Sequence, residues 1–325
     1  REMQHGRLMV APGSLHLSGT VTTPEIQAKI EAHLAQKPAE FLLTRRFDLV
    51  DDGTPPDFTL AYDAQSGARL SGKLPKGLDA AQITQILQLP YIEDTAQVGL
   101  IGRADFTRQV LRVLADWLRH FEQFEFQYSA GQLALKGVAA PGVAAEGLAA
   151  ALSSRFVIAT EISEAGPSAD IGAERIHARS GLLERRVPGA WVPVYSFEPT
   201  AARCSAATST ILEQEQLRFG EGLALFDVSA APALAHLAGV IGHCLRNSAL
   251  RVDAVDHSFS MQSEAENDQL SRARARALVA ALTARGLTKE RIQPKGFGDR
   301  RPRDAQQLSF AQPADRIEFI WDEQP

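Results

Sequence analysis

The chain has little of what most functional classes require. Its 325 residues contain no apolar run of about eighteen, so no segment reads as a membrane-spanning helix. The N-terminus, Arg1-Glu2-Met3-Gln4, shows neither a leader nor an initiator Met and enters a strand almost at once. We expect a trimmed start, which leaves the compartment open. Aromatic residues make up 7%, too few for base-stacking platforms, and a net charge of -5 gives no reason to expect nucleic acid or an anionic membrane as partner. No Gly-x-Ser-x-Gly elbow, phosphate loop, His-Glu-x-x-His or dinucleotide fingerprint is found, so no catalytic residue and no cofactor is assigned. Asp253, Asp256, His257 and Ser258 lie close in sequence, but strand neighbours point to opposite faces and do not form a hydrolytic set.

Cysteine is nearly absent as well, with only Cys204 and Cys244. Without a Cys-x-x-Cys pair or clustered His, no metal site is expected. Two buried thiols acting as small apolar residues is one reading. We expect the other, a disulfide, because one cysteine precedes a predicted helix and the other closes the next. Such a bridge would close a loop of roughly forty residues and contribute about 2–4 kcal/mol.

What is present is ordinary globular material. Hydrophobic content of 45% against 22% charged supports folded cores, and 325 residues exceed one typical core, so two or more domains are predicted. The first half carries a repeat. Gly13-Ser14-Leu15-His16-Leu17-Ser18-Gly19, Gly67-Ala68-Arg69-Leu70-Ser71-Gly72 and Gly131-Gln132-Leu133-Ala134-Leu135-Lys136-Gly137 each show a turn glycine, an alternating strand and a closing glycine. Strands precede them at 7–10, 57–62 and 124–128, and helices follow at 24–35, 79–89 and 143–153. A closing strand is predicted near 41–50, 96–101 and 157–162. A long amphipathic helix at 106–121 leads the third unit. The pattern resembles the BON domain, most fully from 104 to 163. That resemblance implies interaction with envelope proteins or a lipid surface and no catalysis.

From 166 to 203 the regularity fails, and mixed charge between Glu174 and Arg186 reads as a linker or extended connection. The piece from Ala190 to Phe197 is too apolar for a free tether and is expected to pack on a neighbouring domain. Docking on another protein is the alternative.

The densest signal lies near the C-terminus. Asn267-Asp268-Gln269-Leu270-Ser271-Arg272-Ala273-Arg274-Ala275 continues to Leu278, Val279 and Leu282, and is followed by Gly296-Phe297-Gly298-Asp299-Arg300-Arg301-Pro302. This ordered set resembles the OmpA-like peptidoglycan-binding family, with its Asn-x-x-Leu-Ser-x-x-Arg-Ala helix before a Gly-aromatic-Gly turn. Helices at 206–216, 229–244 and 263–285 and strands at 217–219, 250–255 and 316–321 complete the pattern. The implied fold is a β-α-β-α-β sandwich, one small sheet under two helices.

The resemblance implies a site for the diaminopimelate of the wall peptide. Arg274, the Arg of Leu-Ser-x-x-Arg-Ala, would pair its planar guanidinium with a carboxylate. Asn267 lies seven residues earlier on the same helix face, and Ser263 with Glu266 offers a capping box at the helix start. The plainer reading of Arg274 is a solvated helix-face arginine beside Arg272, Arg276 and Arg285. Where the family has Gly-His-Thr-Asp-x-x-Gly, this chain has Ala254-Val255-Asp256-His257-Ser258-Phe259-Ser260. Either Asp256 supplies the carboxylate one position early, or His257 stands in its place; without the glycine, Phe259 and Ser260 cannot copy that loop path. The family's Asn-Arg-Arg-Val-Glu becomes Ala314-Asp315-Arg316-Ile317-Glu318, keeping one Arg and the Glu. The expected ligand residues are Asp256, His257, Asn267, Arg274 and Arg316.

The chain is therefore read as α+β: BON-like units at 1–55, 56–102 and 103–165, a connection at 166–203 and an OmpA-like domain at 204–325. The expected function is non-catalytic binding of peptidoglycan in the periplasm or at the outer membrane. The alternative is the same scaffold serving as a protein-interaction module.

Overall fold

The computed structural model describes residues 3–36, 42–166, 170–258, 263–298 and 316–323. It opens with the hairpin β1 (Met3–Ala11) and β2 (Ser14–Val21), turned at Gly13, whose φ of +74° a side chain would resist. Helix α1 (Pro24–Ala35) follows, with Pro24 in its first turn and Thr23 Oγ1 accepting from the Ile26 amide at 3.4 Å. Strand β3 (Leu42–Leu49) returns parallel to β2, giving a sheet ordered β1-β2-β3. No residue of α1 is buried, so this first unit has little core of its own.

The second and third units do not stand apart; they share one sheet. Strands β4 (Asp57–Asp63) and β5 (Gly67–Leu74), helix α2 (Ala80–Leu87), and short strands β6 (Ile92–Asp94) and β7 (Gln97–Val98) form one half. Helix α3 (Ala104–Trp117), strands β8 (Phe121–Ser129) and β9 (Gln132–Ala139), helix α4 (Ala145–Ser153) and strand β10 (Ala159–Ser163) form the other. The seven strands run β10-β9-β8-β4-β5-β6, with β7 also on β5. At the join β4 and β8 are antiparallel, with Phe58 opposite Tyr128, Leu60 opposite Phe126 and Tyr62 opposite Phe124. The strand predicted at 96–101 is shortened to β7 and preceded by β6, the chain bending between them where Asp94 Oδ1 accepts from the Ala96 amide at 2.8 Å.

The closing glycines of the second and third hairpins have a packing reason. A Cβ on Gly72 would lie 2.8 Å from Phe58 Cα, and one on Gly137 would lie 2.7 Å from the Gln123 carbonyl oxygen. Both hairpins are too tight there for a side chain. Phe58, Leu60, Tyr62, Phe124 and Phe126 are buried in one core with Ile83, Leu87, Leu111, Leu114 and Leu148 from the helices.

Residues 174–193, read from sequence as an extended connection, are an antiparallel sheet: β11 (Glu174–Ile176), β12 (Leu183–Val187) and β13 (Ala190–Pro193). Its buried side chains include Arg175, Glu184 and Arg186, so the usual apolar alternation is missing. Charge partners replace it: Arg175 Nε donates to Glu184 Oε2 at 3.0 Å and Nη1 pairs with Glu122 of β8. The following segment packs as expected. Pro193 reaches helix α6 (Ala231–Cys244) at Gly239, where a Cβ would sit 2.6 Å from the Pro193 oxygen, and Phe197 lies 4.7 Å from the His243 ring.

The C-terminal part adds α5 (Ala201–Gln214), β14 (Leu250–His257), α7 (Glu264–Thr283), β15 (Ile292–Gly296) and β16 (Arg316–Glu323). Strand β14 is central, parallel to β15 and antiparallel to β16. The strand predicted at 217–219 is reduced to one bridge, Phe219 to Phe226, because the chain turns back through Gly222 at φ +64°. The two rings stack at 4.2 Å. Cys204 and Cys244 form the expected disulfide, tying α5 to α6.

Candidate functional site

The candidate residues gather where β14 ends and α7 begins. Helix α7 starts on the expected capping box: Ser263 Oγ accepts from the Glu266 amide at 3.3 Å, and Glu266 Oε2 accepts from the Ser263 amide at 2.8 Å. These mutual bonds satisfy amides at the helix start. Asn267, Ser271 and Arg274 recur at helical spacing and are all buried.

Two residues of the Gly-Phe-Gly turn fix α7 on the sheet. A Cβ on Gly296 would lie 2.6 Å from Arg272 Cα, so helix and strand meet backbone to backbone. The Gly298 amide donates to Ser271 Oγ at 2.9 Å, and that hydroxyl donates to the Asp268 carbonyl at 3.2 Å. The Leu-Ser serine thus locks the turn to the helix. The Phe297 amide donates to the Asp256 carbonyl at 3.1 Å, holding the same turn to β14. Phe259, Ser260, the 299–302 end of the turn, and Ala314 with Asp315 lie outside the described residues.

Arg274 is not a solvated helix-face arginine. It is 4% exposed, and among the described residues its guanidinium reaches Leu223, Gly220 and Ser258. Nε donates to the Leu223 carbonyl at 2.8 Å, Nη2 to the Gly220 carbonyl at 3.4 Å, and Nη1 to Ser258 Oγ at 3.3 Å. Its carbon lies 5.0 Å from the Phe219 ring centre. Ser258 in turn donates to Asp256 Oδ1 at 2.5 Å. Asp256, Ser258 and Arg274 are therefore one buried polar chain.

His257 faces elsewhere. Its ring stacks on Phe297 at 5.7 Å and its Nε2 lies 3.5 Å from Glu318 Oε1. Arg316 Nε donates to the same Glu318 oxygen at 2.5 Å. The His257 imidazole and the Arg316 guanidinium hold the Glu318 carboxyl down to about 2, against the burial that pushes it up. Of the five expected ligand residues, Asp256 and Arg274 share one network. His257 and Arg316 share a second around Glu318, and Asn267 is buried one helical turn before Ser271.

Sequence reasoning missed the loop at 219–223 that receives Arg274. Backbone carbonyls accept there, and no side-chain identity marks a carbonyl. Ser258 was visible only as a neighbour of Asp256.

The OmpA family model matches residues 218–316, a span that begins at the Arg274-receiving loop and ends at Arg316. Among solved structures, the chain is similar to the OmpA-like domain of FopA1 from Francisella tularensis subsp. tularensis SCHU S4. Identity is 21% over 34% of this chain and 70% of that one, with a TM-score of 0.27. No curated protein matches the chain. Residues 218–316 are an OmpA family domain.

Proposed function

We propose that this chain is a non-catalytic cell-envelope protein whose OmpA family domain binds peptidoglycan non-covalently through diaminopimelate of the stem peptide. OmpA family domains are in general non-catalytic binding modules associated with peptidoglycan or the envelope. The observation that carries the reading is Ser258, whose hydroxyl joins Asp256 to Arg274 at 2.5 and 3.3 Å. A carboxylate and a guanidinium from different elements thereby meet between the end of β14 and the middle of α7, the pair needed for a ligand bearing both ammonium and carboxylate. His257 and Arg316 add a second polar cluster around Glu318 at the same end of β14. In this reading the chain works in the periplasm or at the outer membrane, and its first 165 residues are BON-like interaction units facing envelope proteins or a lipid surface.

The test is calorimetric titration of the whole chain with a diaminopimelate-containing muropeptide, beside a lysine-containing one. Saturable binding is expected for the first. Arg274→Ala and Asp256→Asn should each weaken it about tenfold or more, which is at least ~1.4 kcal/mol. Asp256→Asn keeps the size of the side chain and guards against a folding defect. A folded chain that binds neither muropeptide would overturn the proposal.

A second reading rests on the guanidinium itself. Arg274 spends Nε and both Nη atoms on Leu223, Gly220 and Ser258, so it also works as a clamp on the 219–223 loop. In that case the scaffold persists as a protein-interaction module of the envelope. Capture of one envelope protein by a chain that ignores intact sacculi would favour it.

A further inference from the structure

The closing glycines allow the three hairpins to be superposed residue by residue. Two residues before each closing glycine stands a leucine: Leu17, Leu70 and Leu135. Their partners on the first strand of each hairpin are Leu8, Leu60 and Phe126. In the second and third units these first strands pair with each other, from Asp57 opposite Ser129 to Asp63 opposite Gln123. The pairing is self-complementary. Leu60 and Phe126 are equivalent positions that face one another, and Phe58 opposite Tyr128 mirrors Tyr62 opposite Phe124. A pseudo-two-fold axis passes between Leu60 and Phe126.

The first unit has the same strand without the mate. Strand β1 lies at the edge of its sheet, paired with β2 alone among the described residues. Leu8 is 59% and Val10 67% exposed, whereas Leu60 and Phe126 are both 0% exposed. An edge strand with bare apolar side chains is a template for another strand. The bulge between Gln4 and Arg7 lies to one side of this stretch, since Arg7 to Ala11 run in regular register with β2.

We propose that β1 pairs antiparallel with β1 of a second copy of this chain, giving a two-fold dimer with a continuous six-stranded sheet about an axis at Leu8. Transferring the β4–β8 register puts Leu8 opposite Leu8, Arg7 opposite Met9 and Gly6 opposite Val10. No like charges meet directly, and Leu8 and Val10 take the register positions that Leu60 and Tyr62 hold in the paired units.

Sedimentation or light scattering of the whole chain over a dilution series should show a species of twice the monomer mass that dissociates on dilution. Leu8→Lys, which puts two cations on the axis, should shift the chain to monomer. Leu8→Cys should oxidise to a covalent dimer, and Val10→Cys should do so several times more slowly because Gly6 faces it. Both native cysteines are in the disulfide, so no thiol competes. Hydrogen exchange on the unmodified chain needs no substitution: outward amides of residues 7–11 should lose protection as the dimer splits. A chain that stays monomeric at every concentration overturns the proposal. So does a dimer that survives Leu8→Lys, or one that cross-links equally well at 8 and 10.

Discussion

The Arg175 guanidinium carbon lies 4.2 Å from the ring centre of Trp191, with Arg186 over the same ring at 5.6 Å. Arg175 also pairs with Glu184 beside it and with Glu122 of β8, so one buried cation ties the β11–β13 sheet to the seven-stranded sheet. Removing it leaves two carboxylates without their partner. Arg175→Ala should cost about 3–5 kcal/mol in urea unfolding. Arg175→Lys should recover only part of this, since an ammonium keeps the charge but not the planar stack.

Glycine 296 separates packing from conformation. Gly296→Ala puts a methyl against the Arg272 backbone, which cannot give way as a side-chain tip can. A loss of about 1–3 kcal/mol is expected. Because α7 carries Arg274, muropeptide affinity should fall with it. Gly13→Ala is the comparison: nothing lies within 4 Å, so only the strain of φ +74° remains, about 1 kcal/mol. Parallel unfolding curves of the two variants check the difference.

Much of the fold was legible because alternation and turn glycines are local signals. The hairpins around Leu17, Leu70 and Leu135 and the α7 capping box could be read directly. The β4–β8 join could not, because Phe58, Leu60 and Tyr62 alternate in the same way whether their strand is central or at an edge. The β11–β13 sheet was hidden for the opposite reason. Its interior is held by Arg175, Glu184 and Arg186, and a charged run usually marks solvent. At the site, the motif pointed to Arg274, but its acceptors at Gly220 and Leu223 are carbonyls contributed by chain geometry.

Acid should destabilise the chain in two stages. Burial, the largest cause for both, holds His120 and His177 down to about 4, so the folded chain keeps them neutral while the unfolded chain protonates them near 6.5. The unfolded state then binds more protons between about 6.5 and 4, and stability falls as pH drops through that window. The loss reaches roughly 3 kcal/mol for each histidine. Burial pushes Glu215 up, but His236 and Arg119 bring it below its ordinary value. Its contribution is present above the unfolded carboxylate value and disappears on further acidification. Thermal unfolding from pH 7.5 to 3.5 should show the first decline above pH 4. His120→Gln with His177→Gln should flatten that first stage and leave the second.

The Cys204–Cys244 bridge closes a separation of 40 residues. Its reduction should lower stability by about 2–4 kcal/mol. Urea midpoints with and without reductant measure it, and the double Cys→Ser variant should match the reduced chain in showing no further response.

Because β4 and β8 are central neighbours, the chain cannot be cut cleanly between α2 and α3. A fragment ending at residue 102 would strip β4 of its mate and lay open Phe58, Leu60 and Tyr62, and the complementary fragment would bare Phe124 and Phe126. Expressed separately, each half should aggregate; mixed during refolding, the halves should rescue one another. The pairing of Asp57 with Ser129 also bridges 72 residues, so this sheet must wait for distant chain to arrive before it can close.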